Sequence, residues 1–430
     1  MTRSYPNTLN IQPKLKLDAE LKVVGSKSLS NRAFVIAALA DGLSKLEDVL
    51  IAEDTEVMIH ALNQLGIKVE PLAHNSEAFS VAGQAGNIPA SQAELNLQLS
   101  GTSIRFLAAM LATGEGNYIL DGNARMRQRP IQDLLSSLNA LGVKTETLYE
   151  SGCPPFRIEA KGLQGGKTNI AGDRSSQYLS ALLMAAPYAK GPLTIEVTGE
   201  LQSKPFIDMT LKLMADFGVQ VEREGYQRFM IKPAHYQARH YAIEGDAMAA
   251  GYFWAAAAIT GGRIKVLNVG SESCQGDKRL ADVLGQMGCQ VTWTANTCEV
   301  IGPEKGHLKG GYFDLNDMPD QAQTLAVVAL FADSPVHIAN VWNMRIKETD
   351  RLKALYNELT KLGAEVEEGH DYIIIQPLVK AKPGLIETYG DHRMAMAFAL
   401  AGLRFEGVEI NNPACVAKTF PNFFEVLGGL

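Results

Sequence analysis

The sequence is short of the features that mark several protein classes. It has no C-x-x-C pair: the five cysteines, Cys153, Cys274, Cys289, Cys298 and Cys415, are an odd number at unrelated spacings. That excludes a disulfide scaffold and a cysteine-based metal site, and it reads as free thiols in a reducing compartment, the cytoplasm. There is no H-E-x-x-H, and His235 and His240 are wrongly spaced for a helical ligand pair, so no metal is expected. The glycine-rich fragments near Gly162 and Gly302 lack a dinucleotide fingerprint. No apolar run is long enough to span a bilayer, and no basic-then-apolar leader opens the chain, so neither membrane nor export is expected. Positive charge is not in surplus either: a net charge of −7 argues against a general nucleic-acid binder.

What is present is a soluble globular composition, 46% hydrophobic and 20% charged, over 430 residues. That length predicts more than one domain. It also contains a repeat. A leucine-rich helix end, a glycine and a short strand recur as ALNQLGIKVE, SLNALGVKTE, KLMADFGVQVE, VLGQMGCQVT and ELTKLGAEVE. Their glycines, Gly66, Gly142, Gly218, Gly288 and Gly363, are separated by 76, 76, 70 and 75 residues. The pattern predicts a left-handed glycine cap followed by a strand. A second pattern interleaves with it, a polar start running into an Ala-rich apolar helix. Copies begin at Ser28, Ser103, Ser175, Asp246, Gln321 and His392, at separations of 75, 72, 71, 75 and 71 residues.

Six copies of one unit are therefore expected, each with a buried helix, an amphipathic helix and strands. The sixth copy stops at VLGGL, where its closing strand should begin, while NTLNIQPKLKLDAELKVVG at the N-terminus belongs to no copy. The N-terminal segment is expected to supply the missing strand and cover an open sheet edge. Three copies per domain follow, with residues 1–24 and 245–430 forming one domain, residues 25–244 the other, and the active site in the cleft between them. A six-bladed propeller fits less well, since its blades are four-stranded sheets and these units are half helical.

The helix starts carry chemistry. A helix N-terminus presents unsatisfied N–H groups and about half a positive charge, which attracts anions. Serine or threonine there is also an ordinary cap, but lysine or arginine opposes the helix dipole and calls for a compensating anion. GSKSLSNR places Lys27, Ser28 and Arg32 at such a start; without a glycine before its lysine it is not a P-loop. LSGTSIRF offers Gly101 and Arg105, and SSQ offers Ser175, Ser176 and Gln177. The fifth and sixth starts offer Asp320, Asp391, His392 and Arg393. Basic segments recur near the second helices: RMRQRP with Arg125, Arg127 and Arg129, SKPFID with Ser203, NMRIKETDRL with Asn343, Lys347, Glu348 and Arg351, and AKTFP with Lys418. Pro130 is expected in the first turn of its helix. Glu348 and Arg351, three apart, are expected on one helix face.

Taken together and in this order, these motifs resemble the 5-enolpyruvylshikimate-3-phosphate (EPSP) synthase family over essentially the whole chain; RIKETDRL and DHRMAMAF are the most specific of them. The resemblance implies an α/β fold of two similar domains, each of three βαβαββ units (an inside-out α/β barrel), joined by a two-strand hinge. It implies a monomer that transfers the enolpyruvyl group of phosphoenolpyruvate to the 5-hydroxyl of shikimate 3-phosphate by addition and elimination, with no metal or organic cofactor. By the same resemblance Lys27 touches both substrates and Gln177 lies between them. Ser28, Arg32, Ser175, Ser176, Ser203, Asp320, Asn343 and Lys347 serve shikimate 3-phosphate. Gly101, Arg105, Arg129, Arg351, Arg393 and Lys418 serve phosphoenolpyruvate. Asp320 is implied as the base for the 5-hydroxyl, Glu348 as the acid toward the methylene carbon, and His392 as an assistant.

Both substrates carry a carboxylate and a phosphate, which suits arginine forks. The chain departs from the usual family pattern at Leu99-Ser100, where Asn-Ala or Asn-Ser is common, at Phe106 in place of proline, and at Phe206 in place of tyrosine. Gly101 is typical of members sensitive to glyphosate, the family's phosphoenolpyruvate-site inhibitor. The sister UDP-N-acetylglucosamine enolpyruvyl transferases carry a cysteine before their second R-P motif; the corresponding loop here, GEGNYILDGNARMRQRP, has none. A non-catalytic anion binder on the same scaffold is opposed by the joint presence of Lys27, Asp320 and Glu348.

Overall fold

The computed structural model describes residues 5–14, 16–73, 75–304 and 307–430. The chain divides into two compact units, residues 25–243 and residues 1–24 with 244–430.

The first of these contains three βαβαββ copies. In the first copy α1 (Lys27–Leu39) leads to strand Asp41–Glu47, α2 (Glu53–Gln64) and strands Val69–Leu72 and Asn75–Gln84. Its opening strand, His240–Ala242, arrives from the far end of the unit and pairs in parallel with Asp41–Glu47. The second copy runs Gln92–Asn96, α3 (Gly101–Leu111), Glu115–Asp121, α4 (Gln132–Ala140), Lys144–Thr147 and Phe156–Lys161. The third runs Gly166–Ala171, α5 (Ser176–Ala185), Leu193–Thr198, α6 (Pro205–Asp216), Glu222–Glu224 and Arg228–Ile231. Each sheet has the order first, second, fourth, third strand; the first pair is parallel and the others antiparallel.

The other unit repeats this. Its first copy opens with Asp18–Leu21 from the N-terminal segment and continues through α7 (Ala247–Thr260), Arg263–Val266, α8 (Leu280–Gln286), Gln290–Trp293 and Cys298–Ile301. The next runs Gly311–Asp314, α9 (Ala322–Ala329), Val336–Ala339, α10 (Arg351–Lys361), Val366–Glu368 and Ile373–Ile375. The last has Gly384–Ile386, α11 (His392–Gly402), Val408–Asn411 and α12 (Phe423–Gly428). Its sheet is completed by Thr8–Asn10, antiparallel to Val408–Asn411 in the place a fourth strand takes elsewhere. The N-terminal segment thus covers the edge that the chain's end leaves open.

Local chemistry explains these elements. The five repeat glycines all have positive φ, from 83° to 109°, as the cap pattern predicts. Ser26, Ser100, Ser175, Asp246 and Asp391 are the N-caps of α1, α3, α5, α7 and α11, each accepting from a backbone N–H of the first turn. The Ala-rich helices are buried almost throughout, and α7 is buried along all 14 residues. Helix α1 packs on α3 and α3 on α5; in the other unit α7, α9 and α11 pack on one another. The apolar helices form each unit's centre because small alanines let them approach closely, while the amphipathic helices pack their apolar stripes behind them.

Two local expectations fail. Pro130 lies two residues before α4, because Ile131 at φ −137° stands outside the helix. Glu348 is not on a helix face with Arg351: Asp350 caps α10 through Lys353 N–H, so the helix begins at Arg351 and Glu348 sits in the preceding loop.

Candidate functional site

Each unit gathers one group of the expected residues. In the unit of residues 25–243, α3 begins at Gly101, and two guanidinium groups close over it. A Cβ on Gly101 would lie 2.6 Å from Arg105 Nη1 and 2.7 Å from Arg129 Nη1, so the lack of a side chain is what admits both cations. Two buried arginines beside a helix N-terminus repel one another and oppose the dipole; an anion between them removes both penalties. Arg105 Nη1 donates to Gln177 Oε1 at 2.7 Å, and Gln177 Nε2 to Thr102 Oγ1 at 3.3 Å, joining the starts of α3 and α5.

Lys27, the first residue of α1, lies 3.5 Å from the buried Asp54 of α2. Asp54 has no motif of its own; its signal is only its place in the acidic first turn of α2. Ser28 occupies the same turn as Lys27, and its carbonyl accepts from Arg32 Nη1 at 2.9 Å. Arg32 is itself buried, donating also to Thr210 Oγ1 at 2.8 Å, Ser180 Oγ at 3.1 Å and Phe206 O at 3.4 Å. Ser175 accepts from Gln177 N–H as the cap of α5, and the buried Ser176 follows it. Ser203 is buried at φ +57°, a left-handed conformation that a serine holds only when its surroundings impose it.

In the other unit the expected residues form one ion network. Asp320 lies on a single 3₁₀ turn, Pro319–Gln321, ahead of α9. Its Oδ1 accepts from Lys347 Nζ at 2.6 Å and Arg351 Nη1 at 2.9 Å, and its Oδ2 from Arg393 Nη2 at 3.1 Å. Glu348 accepts from Arg351 Nη2 at 2.9 Å and Lys418 Nζ at 2.7 Å. Arg351 is fully buried and also forks onto Asp391, 2.7 Å from Nε and 3.2 Å from Nη2. Sequence reading noted Asp391 only as a helix start; the fold makes it both the cap of α11 and a counter-ion of Arg351. Four cations thus meet three carboxylates, a surplus of one positive charge. His392 is fully buried, its Nδ1 3.5 Å from Asp391 Oδ1. Asn343, on the one-turn helix Trp342–Ile346, is buried with its Oδ1 lacking a hydrogen-bond partner among the described residues.

The environment separates the titrating groups. Burial raises the Asp320 carboxyl, but Lys347, Arg393 and Arg351 together hold it well below the usual carboxylate range. Burial lowers Lys347, and Asp320 offsets this only in part. Burial likewise works against the charges of Arg351 and Arg393, yet their carboxylate partners keep both firmly protonated. Asp277, on the turn Gly276–Arg279, is the opposite case: burial first and the neighbouring Asp320 second push it up to about 7. No sequence motif singles it out.

Six βαβαββ copies, four of which carry buried cations at or near their helix starts, define an enzyme that handles small polyanions. Residues 11–427 match the family model of EPSP synthase (3-phosphoshikimate 1-carboxyvinyltransferase), and the chain belongs to that family. It is 47% identical over 424 residues to the 3-phosphoshikimate 1-carboxyvinyltransferase of Sulfurovum sp. (strain NBC37-1), covering 98% of each chain. It is 48% identical over 409 residues to that of Trichormus variabilis (strain ATCC 29413 / PCC 7937), covering 95% of each. Among solved structures, EPSP synthase from Acinetobacter baumannii superposes with a TM-score of 0.81 at 26% identity, covering 98% of each chain. Among the described residues no helix is long and apolar enough to cross a membrane.

Proposed function

We infer that this chain transfers the enolpyruvyl group of phosphoenolpyruvate to the 5-hydroxyl of shikimate 3-phosphate, releasing phosphate, on the route to chorismate and the aromatic amino acids. The observation that carries the reading is the pair of separately held carboxylates, Asp320 and Glu348, inside one cationic network. Addition and elimination at an enol ether require two acid–base groups at different atoms.

In this reading Asp320 takes the 5-hydroxyl proton as that oxygen bonds to C2 of phosphoenolpyruvate, and Glu348 protonates the methylene carbon. Elimination returns the methyl proton and expels phosphate, so the net proton passes from the hydroxyl to the departing phosphate. Lys347, Arg351 and Arg393 keep Asp320 ionised. Anionic substrates compete for those same cations and thereby raise its basicity at the moment it is needed. Arg105 and Arg129 around Gly101, with Arg351, Arg393 and Lys418, address phosphoenolpyruvate. Ser28, Arg32, Ser175, Ser176, Ser203, Asn343 and Lys347 address shikimate 3-phosphate, Lys27 and Gln177 meet both, and His392 supports Asp391. The enzyme works as a cytoplasmic monomer without metal or organic cofactor.

The test is phosphate release from phosphoenolpyruvate with either shikimate 3-phosphate or UDP-N-acetylglucosamine as acceptor. Release is expected with the first alone; release with the sugar nucleotide, or with neither, refutes the assignment.

A further inference from the structure

Asp320 is followed by Gln321, a fully buried residue that opens the fifth copy of the polar-start pattern and has no role assigned in the site. Its Nε2 donates to Ala247 O, at the start of α7, at 3.4 Å and to Asp277 O at 3.3 Å. The amide reaches those carbonyls by lying over Gly251, one turn along α7. A Cβ there would stand 2.6 Å from both Nε2 and Oε1. Gly251 is otherwise hard to explain. Helix α7 reads AMAAGYFWAAAAIT, and alanine would gain about 1 kcal/mol of helix propensity over glycine at an interior position.

The recess therefore seats the amide. Its Oε1 has no hydrogen-bond partner among the described residues, nor has Asp277 Oδ1, and a buried unpaired acceptor costs free energy. What the arrangement does is fasten the single turn Pro319–Gln321 to two other elements, α7 and the turn Gly276–Arg279. That turn carries the carboxylate on which Lys347, Arg351 and Arg393 converge. A proton acceptor works only when held within a fraction of an ångström of its target, and Asp320 stands in the turn that opens α9, where helix hydrogen bonding is incomplete.

We propose that Gln321 is a positioning residue for Asp320, with Gly251 as the recess that seats it. This rests on the reading of Asp320 as the base. The primary variant is Gly251→Ala: the atoms nearest its methyl are all those of the Gln321 amide, a side-chain end, so the amide is what must be displaced. Expected are a cooperative melting transition that shows the variant folds, a kcat lowered about tenfold or more, and KM values for both substrates within about threefold of the parent. Gln321→Met, which fills the space without a donor, should lose kcat to a similar extent. The double variant Gly251→Ala/Gln321→Met should lose no more than either single one, since both act through one contact. The acid limb of the kcat profile should shift in the variants, which a merely structural role would not produce. Parental kcat in Gly251→Ala or Gln321→Met, or losses that multiply in the double variant, overturn the proposal. Asp320→Asn separates the two claims: if it stays active, the role of Asp320 itself is wrong; if it is inactive while Gly251→Ala is not, only the positioning is wrong.

Discussion

The guanidinium carbon of Arg32 lies 5.1 Å from the centre of the Phe106 ring. Phe106 stands where many family members have proline, so α3 here contributes an aromatic face to the cation of α1. Phe206, where tyrosine is common, adds a second ring at 5.8 Å. The buried charge of Arg32 is thus stabilised by ring quadrupoles as well as by its protein acceptors. Phe106→Leu keeps most of the volume and removes the ring. A stability loss of about 1–2 kcal/mol is expected from the lost cation–π contact and repacking, read as a lower midpoint in urea unfolding. A rise in KM for shikimate 3-phosphate should accompany it, because Arg32 holds the Ser28 carbonyl. An unchanged midpoint would show that the ring only fills space.

Gly101 tests the neighbouring cations. In Gly101→Ala the new methyl meets the ends of Arg105 and Arg129, which are flexible enough to yield, so the chain should fold normally. Moving two guanidinium groups should raise KM for phosphoenolpyruvate about tenfold, equivalent to ~1.4 kcal/mol, and leave KM for shikimate 3-phosphate within about twofold. Steady-state kinetics with each substrate varied in turn decides this. Equal rises for both substrates would mean that Gly101 shapes the unit generally.

Glu348→Gln preserves size and removes the proton. Arg351 and Lys418 bond different oxygens of Glu348, so the amide leaves only one of them an acceptor. Both substrates should still bind, measured by calorimetry, while kcat falls about 10²–10⁴-fold, the range for losing a general acid. Near-parental turnover would remove Glu348 from the mechanism.

Asp277 makes a prediction about stability and pH. Its carboxyl is raised to about 7 in the folded protein, so between its unfolded value near 4 and pH 7 the native state holds more protons than the unfolded state. Stability therefore falls as pH rises through that window, by an amount on the order of a few kcal/mol. The groups facing it are Asp320, Arg393, Asp246 and Lys347. Asp277→Asn removes the titration, so its melting temperature relative to the parent should improve from pH 5 to pH 8. A constant difference between the two proteins across that range would show that the carboxyl does not titrate there.

Much of this was legible in the chain. The repeat glycines, the polar helix starts and the Ala-rich runs report on caps and burial, both set by residues within a turn or two. So all six buried helices lie at the expected stretches. The boundaries were read less well where a single cap decided them. Asp350 moved the start of α10 past Glu348, and Ile131 moved that of α4 past Pro130. The Glu348–Arg351 pair forms regardless, because a loop can bring i and i+3 together as a helix does.

The sequence by itself determined the sixfold unit, the closing role of the N-terminal strand and the residue types at each helix start, because these are periodic and local. Only the tertiary structure decided which charges meet. Asp391 on Arg351, Asp277 near Asp320 and the Gln321 amide over Gly251 each join successive copies, and Asp54 beside Lys27 joins the two helices of one copy. No local pattern encodes such pairings. They exist because helices within a copy and in successive copies pack against one another and bring their polar ends together, where each buried charge must find a partner or change its protonation.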